Sequence, residues 1–295
     1  MAITNGRLGQ LSQDGGSNTI GGMRKWTVND TSANPKGTPA NAGNAQVVLS
    51  GGNTDWTMTY DFYGRELPAE PGQFYDFVGW NGAERLTGNC LGESLSMKCE
   101  VENSAALISG TASFGGNGAL TRGVSTTTPT VGTGSTLTAF GPMGCVVKWT
   151  PIISGTAGSE VTLPGLRNWG LDLACTSAPY VSSTNGNVTK RTAGNYTGSA
   201  SVSLYNDSHA YLAASATRLI PGTPGILKLY VSASLYYSLS YAVVNTNGLG
   251  ADVEGAANNV SDISFDLSAY AEVPAGTLTR GAWVRPNSSN FWPLP

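Results

Sequence analysis

A chain of 295 residues has room for two ordinary domains, each able to bury a core without disulfides or metal. Charged residues make up only 12% and the net charge is −3, which excludes the basic footprint of tight nucleic-acid binding; 40% hydrophobic content with seven Trp and twelve Tyr excludes disorder. No run of 18 apolar residues occurs, and Met1 to Gln13 lacks the charged-then-apolar pattern of a secretory signal, so neither a membrane-spanning helix nor export by that route is expected.

Residues 1–19 read as a polar Gly/Ser/Asn arm. Residues 20–123 read as a first β-rich domain: Asp55-Trp56-Thr57-Met58-Thr59-Tyr60-Asp61-Phe62-Tyr63 alternates polar with apolar, as does Leu95 to Val101, and Gly51-Gly52-Asn53 and Gly115-Gly116-Asn117-Gly118 suit hairpin turns. Glu102 to Ile108 holds at most a turn or two of helix. Residues 124–144, rich in Thr and Gly, read as an extended linker. Residues 145–281 read as a second β-rich domain, with strands expected at Ser199 to Tyr205, Leu227 to Leu239 and Val260 to Tyr270, and at most a short helix at Val253 to Val260. Residues 282–295 form a tail ending Phe291-Trp292-Pro293-Leu294-Pro295. The fold class is therefore mainly β: two tandem antiparallel sandwich or barrel domains.

Similar segments recur in the same order in the two halves. Lys25-Trp26-Thr27 is echoed at Lys148-Trp149-Thr150, Gly52-Asn53 at Gly194-Asn195, and Pro71-Gly72 at Pro224-Gly225. Val101-Glu102 is echoed at Val253-Glu254, and Leu120-Thr121-Arg122-Gly123 at Leu278-Thr279-Arg280-Gly281. The spacing lengthens almost steadily along the chain, as insertions in a second copy require. Trp26 with Trp149, and Arg122 with Arg280, are thus expected at equivalent places of a duplicated unit.

A surface poor in charge does little to keep copies apart, and unguarded sheet edges recruit partners, so a homo-oligomer is expected. The aromatic tail, with Trp283, Phe291 and Trp292, is the expected subunit contact, although a tail folded back on its own domain accounts for it equally well.

Residues fit for chemistry are few. The only histidine, His209, stands in Tyr205-Asn206-Asp207-Ser208-His209 without a GxSxG nucleophile elbow. Carboxylates for glycosidase work exist in Glu66, Glu70, Asp76, Asp252 and Glu254, yet Asp252 and Glu254 read more simply as neighbours on a solvated turn. Phosphate loops, HExxH and calcium-loop spacing do not occur. Cys90, Cys99, Cys145 and Cys175 lack zinc spacing and read as buried thiols, with a Cys90–Cys99 bridge between adjacent strands left open. The tryptophans read as core, with a sugar-stacking platform as the rival. No catalytic, cofactor-binding or metal residue is assigned, and no cofactor is expected.

The ordered runs Asn168-Trp169-Gly170-Leu171, Tyr196-Thr197-Gly198-Ser199-Ala200-Ser201-Val202, Pro224-Gly225-Ile226-Leu227-Lys228-Leu229-Tyr230 and Asp252-Val253-Glu254-Gly255 give the second half a recognisable outline. Asn53-Thr54-Asp55-Trp56, Pro71-Gly72, Glu100-Val101-Glu102, Phe114 and Gly118 repeat it in the first. The pattern resembles that of bacteriophage tail tube proteins whose tube fold is duplicated within one polypeptide. The resemblance implies a virion structural protein, a β-sandwich with a flanking short helix and a long hairpin, and subunits whose sheets pair into rings that stack as a genome conduit. It further implies three chains per ring with pseudo-sixfold symmetry, an acidic lumen past which DNA moves without sticking, other virion proteins as partners, no membrane partner, and location in the virion after assembly in the host cytoplasm. Capsid decoration, neck and fibre proteins share the composition, as does a carbohydrate-binding β module.

Overall fold

The computed structural model describes residues 10–13, 18–19, 23–34, 36–37, 47–48, 52–63, 70–81, 84–101, 107–124, 144–182, 184, 186–205, 219–231, 236–250, 260–267, 270–272, 278–280 and 285–286. Among them every strand ladder is antiparallel and no α-helix occurs, so the mainly β expectation holds. The stretches read as short helices, Glu102 to Ile108 and Val253 to Val260, lie almost wholly outside the described residues.

The first half contributes β1 (Gln10–Gln13), β2 (Asn18–Thr19), β3 (Met23–Ala33), β4 (Lys36–Gly37), β5 (Val47–Val48), β6 (Asn53–Tyr63), β7 (Phe74–Trp80), β8 (Glu84–Glu100), β9 (Ser109–Gly116) and β10 (Thr121–Val124). The second contributes β11 (Val147–Ile153), β12 (Thr156–Ala157), β13 (Val161–Leu163), β14 (Leu166–Tyr180), β15 (Lys190–Tyr205), β16 (Pro224–Tyr230), β17 (Tyr236–Gly250), β18 (Val260–Leu267), β19 (Tyr270–Glu272), β20 (Leu278–Arg280) and β21 (Arg285–Pro286).

Alternation along the strands decides which face turns inward. On β6 Trp56, Met58, Tyr60 and Phe62 are buried while Thr57 and Thr59 are exposed, as a period of two requires. Because one face carries nearly all the apolar area, the sheet curls to bury it. In the first half the ladders run β1–β7–β8–β9–β6–β3, and β2, just ahead of β3 in the chain, pairs back to β1. In the second half they run β11–β16–β17–β18–β15–β14, and β13, just ahead of β14, pairs back to β11. Each set curls into a barrel whose last junction is made by chain continuity, since among the described residues no ladder pairs β2 with β3 or β13 with β14. Trp56 against Phe77 (ring centroids 5.1 Å apart) and Tyr60 against Phe114 (5.5 Å) pack the first interior; Trp149 against Phe265 (5.3 Å) packs the second.

The two barrels share irregularities as well as order. A register shift at Met23/Lys25 lies opposite Phe62/Asp61, and one at Leu166/Asn168 opposite Leu204/Ser203. Another at Gly92/Ser94 lies opposite Phe114/Ser113, and one at Val244/Thr246 opposite Phe265/Ser264. Before β7, Gly72 N–H donates to Gly92 O (2.7 Å), Gly92 N–H to Gln73 O (2.9 Å) and Gln73 N–H to Glu70 O (3.3 Å). Before β16, Gly222 N–H donates to Val244 O (2.8 Å), Val244 N–H to Thr223 O (3.0 Å) and Thr223 N–H to Ile220 O (3.0 Å). Gly72 (φ 85°) and Gly222 (φ 87°) take the left-handed conformation that such a turn demands and glycine supplies without strain.

This register changes several expected matches. Pro71-Gly72 corresponds to Pro221-Gly222; Pro224-Gly225 instead lies inside β16. Trp26, paired with Tyr60 just past the first shift, corresponds to Trp169, paired with Val202 just past the other. Trp149, on β11, stands instead where β1 stands in the first barrel. Arg122 on β10 pairs with Leu86, and the strand in that relation to the second barrel is β21, where Arg285 pairs with Ser238; Arg280 lies on β20 and pairs with Tyr270. Strand β1, expected in a polar arm, is a stave of the first barrel. Most of the 124–144 linker lies outside the described residues.

Candidate functional site

The structural feature with no counterpart in an ordinary two-domain chain is the seam between the barrels. Strand β8 is longer than its neighbour β7, which covers only Arg85 to Leu91 of it. Along the rest, β14 of the second barrel takes the vacated edge, with Asn168 opposite Glu100, Gly170 opposite Lys98, Leu171 opposite Met97, Leu173 opposite Leu95 and Ala174 opposite Ser94. One backbone ladder thus runs from barrel to barrel. Leu95, Met97, Leu171 and Leu173 are all buried along it, so the seam has an apolar side as well as hydrogen bonds.

A second set of contacts clasps the seam from the tip of the β14–β15 hairpin. The Arg191 guanidinium, 7% exposed, donates to Asp55 Oδ1 (2.8 Å) and Oδ2 (2.7 Å) and to the Gly116 carbonyl. Its Nε lies 3.4 Å from Glu93 Oε1, too poorly aligned for a hydrogen bond but close enough to balance charge. Glu93, the extra residue of the Gly92/Ser94 bulge, also accepts from Ser177 Oγ (2.6 Å). Arg191 N–H donates to Asn117 Oδ1 (3.0 Å), and Thr54 and Asn187 share a backbone bond of 2.9 Å. A Cβ on Gly115 would run into both Arg191 Nε and Glu93 Oε1, so glycine there makes room for the pair. Sequence reading passed over Arg191 because its carboxylate partner Asp55 stands 136 residues earlier and no local motif links them.

Two edges of the same kind stay open among the described residues. Strand β3, which holds the place of β14 in the first barrel, pairs only with β6. Strand β17, which holds the place of β8, is covered by β16 from Tyr236 to Val243 and by the Gly222–Thr223 turn at Val244; from Asn245 on, β18 is its one ladder partner among the described residues, with the Asn247 side chain donating to Leu219 O (2.7 Å).

The expected residues are scattered over this frame. Trp26 is half-buried on open strand β3; Trp149 is fully buried. Arg122, half-exposed, bridges Glu84 (2.9 Å) and Asp30 (3.5 Å). Trp283, Phe291 and Trp292 lie outside the described residues, as do His209, Asp207, Glu66, Asp252 and Glu254. Asp76 accepts a hydrogen bond from Asn89 (2.8 Å), and Glu70 lies in the turn before β7. Trp56, Trp80, Trp149 and Trp169 are all core, which leaves Trp26 as the one tryptophan with appreciable exposure among the described residues.

Cys90 and Cys99 sit on the same strand, roughly 30 Å apart at ~3.3 Å per residue, so the bridge between adjacent strands left open by the sequence cannot form. Cys99 instead meets Cys145; the hydrogen bond between them, then burial, pushes the Cys99 thiol above its ordinary value. Burial, then nearby Asp76 and Glu93, pushes Cys90 up as well.

Surface concavities are shallow. One of about 300 Å³ crosses the seam at Ser94, Ser96, Asp172 and Thr197; another of about 260 Å³ lies by Arg24, Asp61 and Lys98. Each contains a single carboxylate, whereas glycoside hydrolysis needs two facing each other. Among the described residues no group of three or more His, Cys, Asp or Glu is placed to hold a metal ion, and no helix is long and apolar enough to cross a membrane.

The fold and seam define a protein of two antiparallel barrels joined edge to edge in one sheet, with its distinguishing surface made of strand edges. No family model matches the chain, and no curated protein matches it. Among solved structures, the chain is similar to a component of one described as "Virion of native gene transfer agent (GTA) particle", at 15% identity and TM-score 0.36, over 41% of this chain and 99% of that one. It is also similar to a component of "Tail of empty GTA particle computed with helical refinement, C6 symmetry", at 10% identity and TM-score 0.29, over 46% of this chain and 96% of that one.

Proposed function

We propose that this chain is a structural virion subunit, made of two divergent copies of one barrel, that assembles through sheet edges into the stacked rings of a phage-type tail tube. One observation carries the reading: the barrels are joined inside the chain by an edge-to-edge ladder, β8 with β14, and the same two edges, on β17 and β3, have no further ladder partner among the described residues. A surface with only 12% charged residues offers weak defence against further pairing. Three chains would then supply six barrels to a ring. The virion and tail particles named above fit this reading. The protein acts as a conduit wall, without catalysis or cofactor; other virion proteins bound its stack, DNA passes transiently, and the virion is its location. The tail with Trp283, Phe291 and Trp292 serves as an added contact between subunits.

Negative-stain electron microscopy of the purified full chain tests the proposal. Rings or tubes with sixfold density are expected; a population that stays single-chain at high concentration overturns it. Deleting Asn287 to Pro295, which leaves β21 on β17 intact, is expected to weaken assembly without lowering the melting temperature.

A further inference from the structure

We infer that residues 27–31 of β3 in one molecule pair antiparallel with residues 246–250 of β17 in the next, in the register that β14 and β8 adopt within the molecule. The inference rests on the assembly reading above and adds to it the strands, their direction and their register.

The register follows from positions the two barrels share. Beyond the bulge at Gly92/Ser94, Ser94 matches Thr246, Leu95 matches Asn247, Ser96 matches Gly248, Met97 matches Leu249 and Lys98 matches Gly250. Beyond the shift at Met23/Lys25, Thr27 matches Gly170, Val28 matches Leu171, Asn29 matches Asp172, Asp30 matches Leu173 and Thr31 matches Ala174. Transferring the internal pairs places Thr27 opposite Gly250, Val28 opposite Leu249, Asn29 opposite Gly248, Asp30 opposite Asn247 and Thr31 opposite Thr246.

Three further observations fit this pairing and do not follow from symmetry alone. Trp169 and Leu171, whose strand is covered, are 1% and 0% exposed, whereas their matches Trp26 and Val28 on the open strand are only half-buried. Residue types are complementary: apolar Leu171 with Met97 becomes apolar Val28 with Leu249, while apolar Leu173 with Leu95 becomes Asp30 with Asn247, whose amide donates one N–H to Leu219 O (2.7 Å) and keeps a second for the carboxylate. On β17, Asn247 is only half-buried where its match Leu95 is fully buried, and Thr246 is exposed where its match Ser94 is half-buried. Since the two surfaces lie on opposite barrels, the contact is heterologous and repeats head to tail, which builds a ring or a helix rather than a closed dimer.

Cysteine pairing reads the register directly. Asn29 and Gly248 are exposed, and a Cβ on Gly248 meets only Asp262 O at 3.6 Å, an ordinary contact, so both positions accept cysteine. The four native cysteines are buried and give little background. Full-length protein carrying Asn29→Cys and Gly248→Cys, assembled and mildly oxidised, is expected to run on a non-reducing gel as a ladder of disulfide-linked chains. A control carrying Thr27→Cys and Thr246→Cys, four positions out of register and roughly 13 Å apart, is expected to stay single. If rings or tubes form but the first variant gives no ladder, or the control cross-links equally well, this register is wrong and the assembly reading survives. Should the unmodified chain remain a monomer by mass photometry at all concentrations, both fall.

Discussion

Replacing Arg191 by methionine keeps the length and packing of the side chain while removing every guanidinium donor that reaches from the second barrel's hairpin to the first barrel. Two charge-assisted bonds to Asp55 disappear, the Gly116 carbonyl loses its donor, and Glu93 loses its countercharge. Breaking a fully buried ion pair costs about 3–5 kcal/mol. Here the guanidinium is 7% exposed but the Asp55 and Glu93 side chains are 35% and 27% exposed, so both carboxylates regain water and the cost falls to ~2–3 kcal/mol. At about 2–4 °C per kcal/mol for domains of this size, the melting midpoint should drop ~5–10 °C. Denaturant unfolding of the full chain measures the loss, and a double-mutant cycle with Asp55→Asn should return a coupling of ~1 kcal/mol or more. Arg191→Lys, which keeps charge but not the two-pronged geometry, should fall between. A loss under ~0.5 kcal/mol for Arg191→Met, or strict additivity in the cycle, would refute the clasp.

Four other outcomes follow from single sites. Glu160 accepts from Lys228 and Lys148, bonds that hold its carboxyl below the usual range; its contribution is therefore complete above the unfolded pKa and lost as pH falls through the lowered native one. Glu160→Gln should cost under ~1 kcal/mol at pH 7, and the two unfolding curves should converge in acid. Gly222→Ala, where a Cβ meets nothing, should cost only the ~1 kcal/mol of a left-handed alanine, whereas Gly72→Ala adds a collision with the Tyr196 ring and should cost distinctly more in the same melts. The Tyr60 hydroxyl is buried without a partner among the described residues, so Tyr60→Phe should leave the melting temperature unchanged or raise it. Trp169→Ala should cost ~3–5 kcal/mol and Trp26→Ala clearly less in unassembled protein, because only the first is fully enclosed.

Much of the barrel architecture was written into short-range pattern. Alternation along Asn53–Tyr63 predicted a strand with one buried face, and the side chains fall as it requires, because a pleated strand has no other way to bury four large apolar groups. Matching tryptophan to tryptophan misled: interior volume is filled from whichever strand can reach it, so the first barrel uses Trp56 on β6 and the second Trp149 on β11.

What the sequence by itself determined was the class of fold and the absence of recognisable chemical motifs, both of which depend on composition and on periods of a few residues. The tertiary structure alone decided where the barrels meet. Strand edges pair through backbone groups that every residue carries, so nothing in the letters of Ser94 to Glu100 names Asn168 to Ala174 as their partner. The Arg191 clasp is hidden for the same reason. An ion pair is a matter of distance, and only folding brings together charges that lie more than a hundred residues apart along the chain.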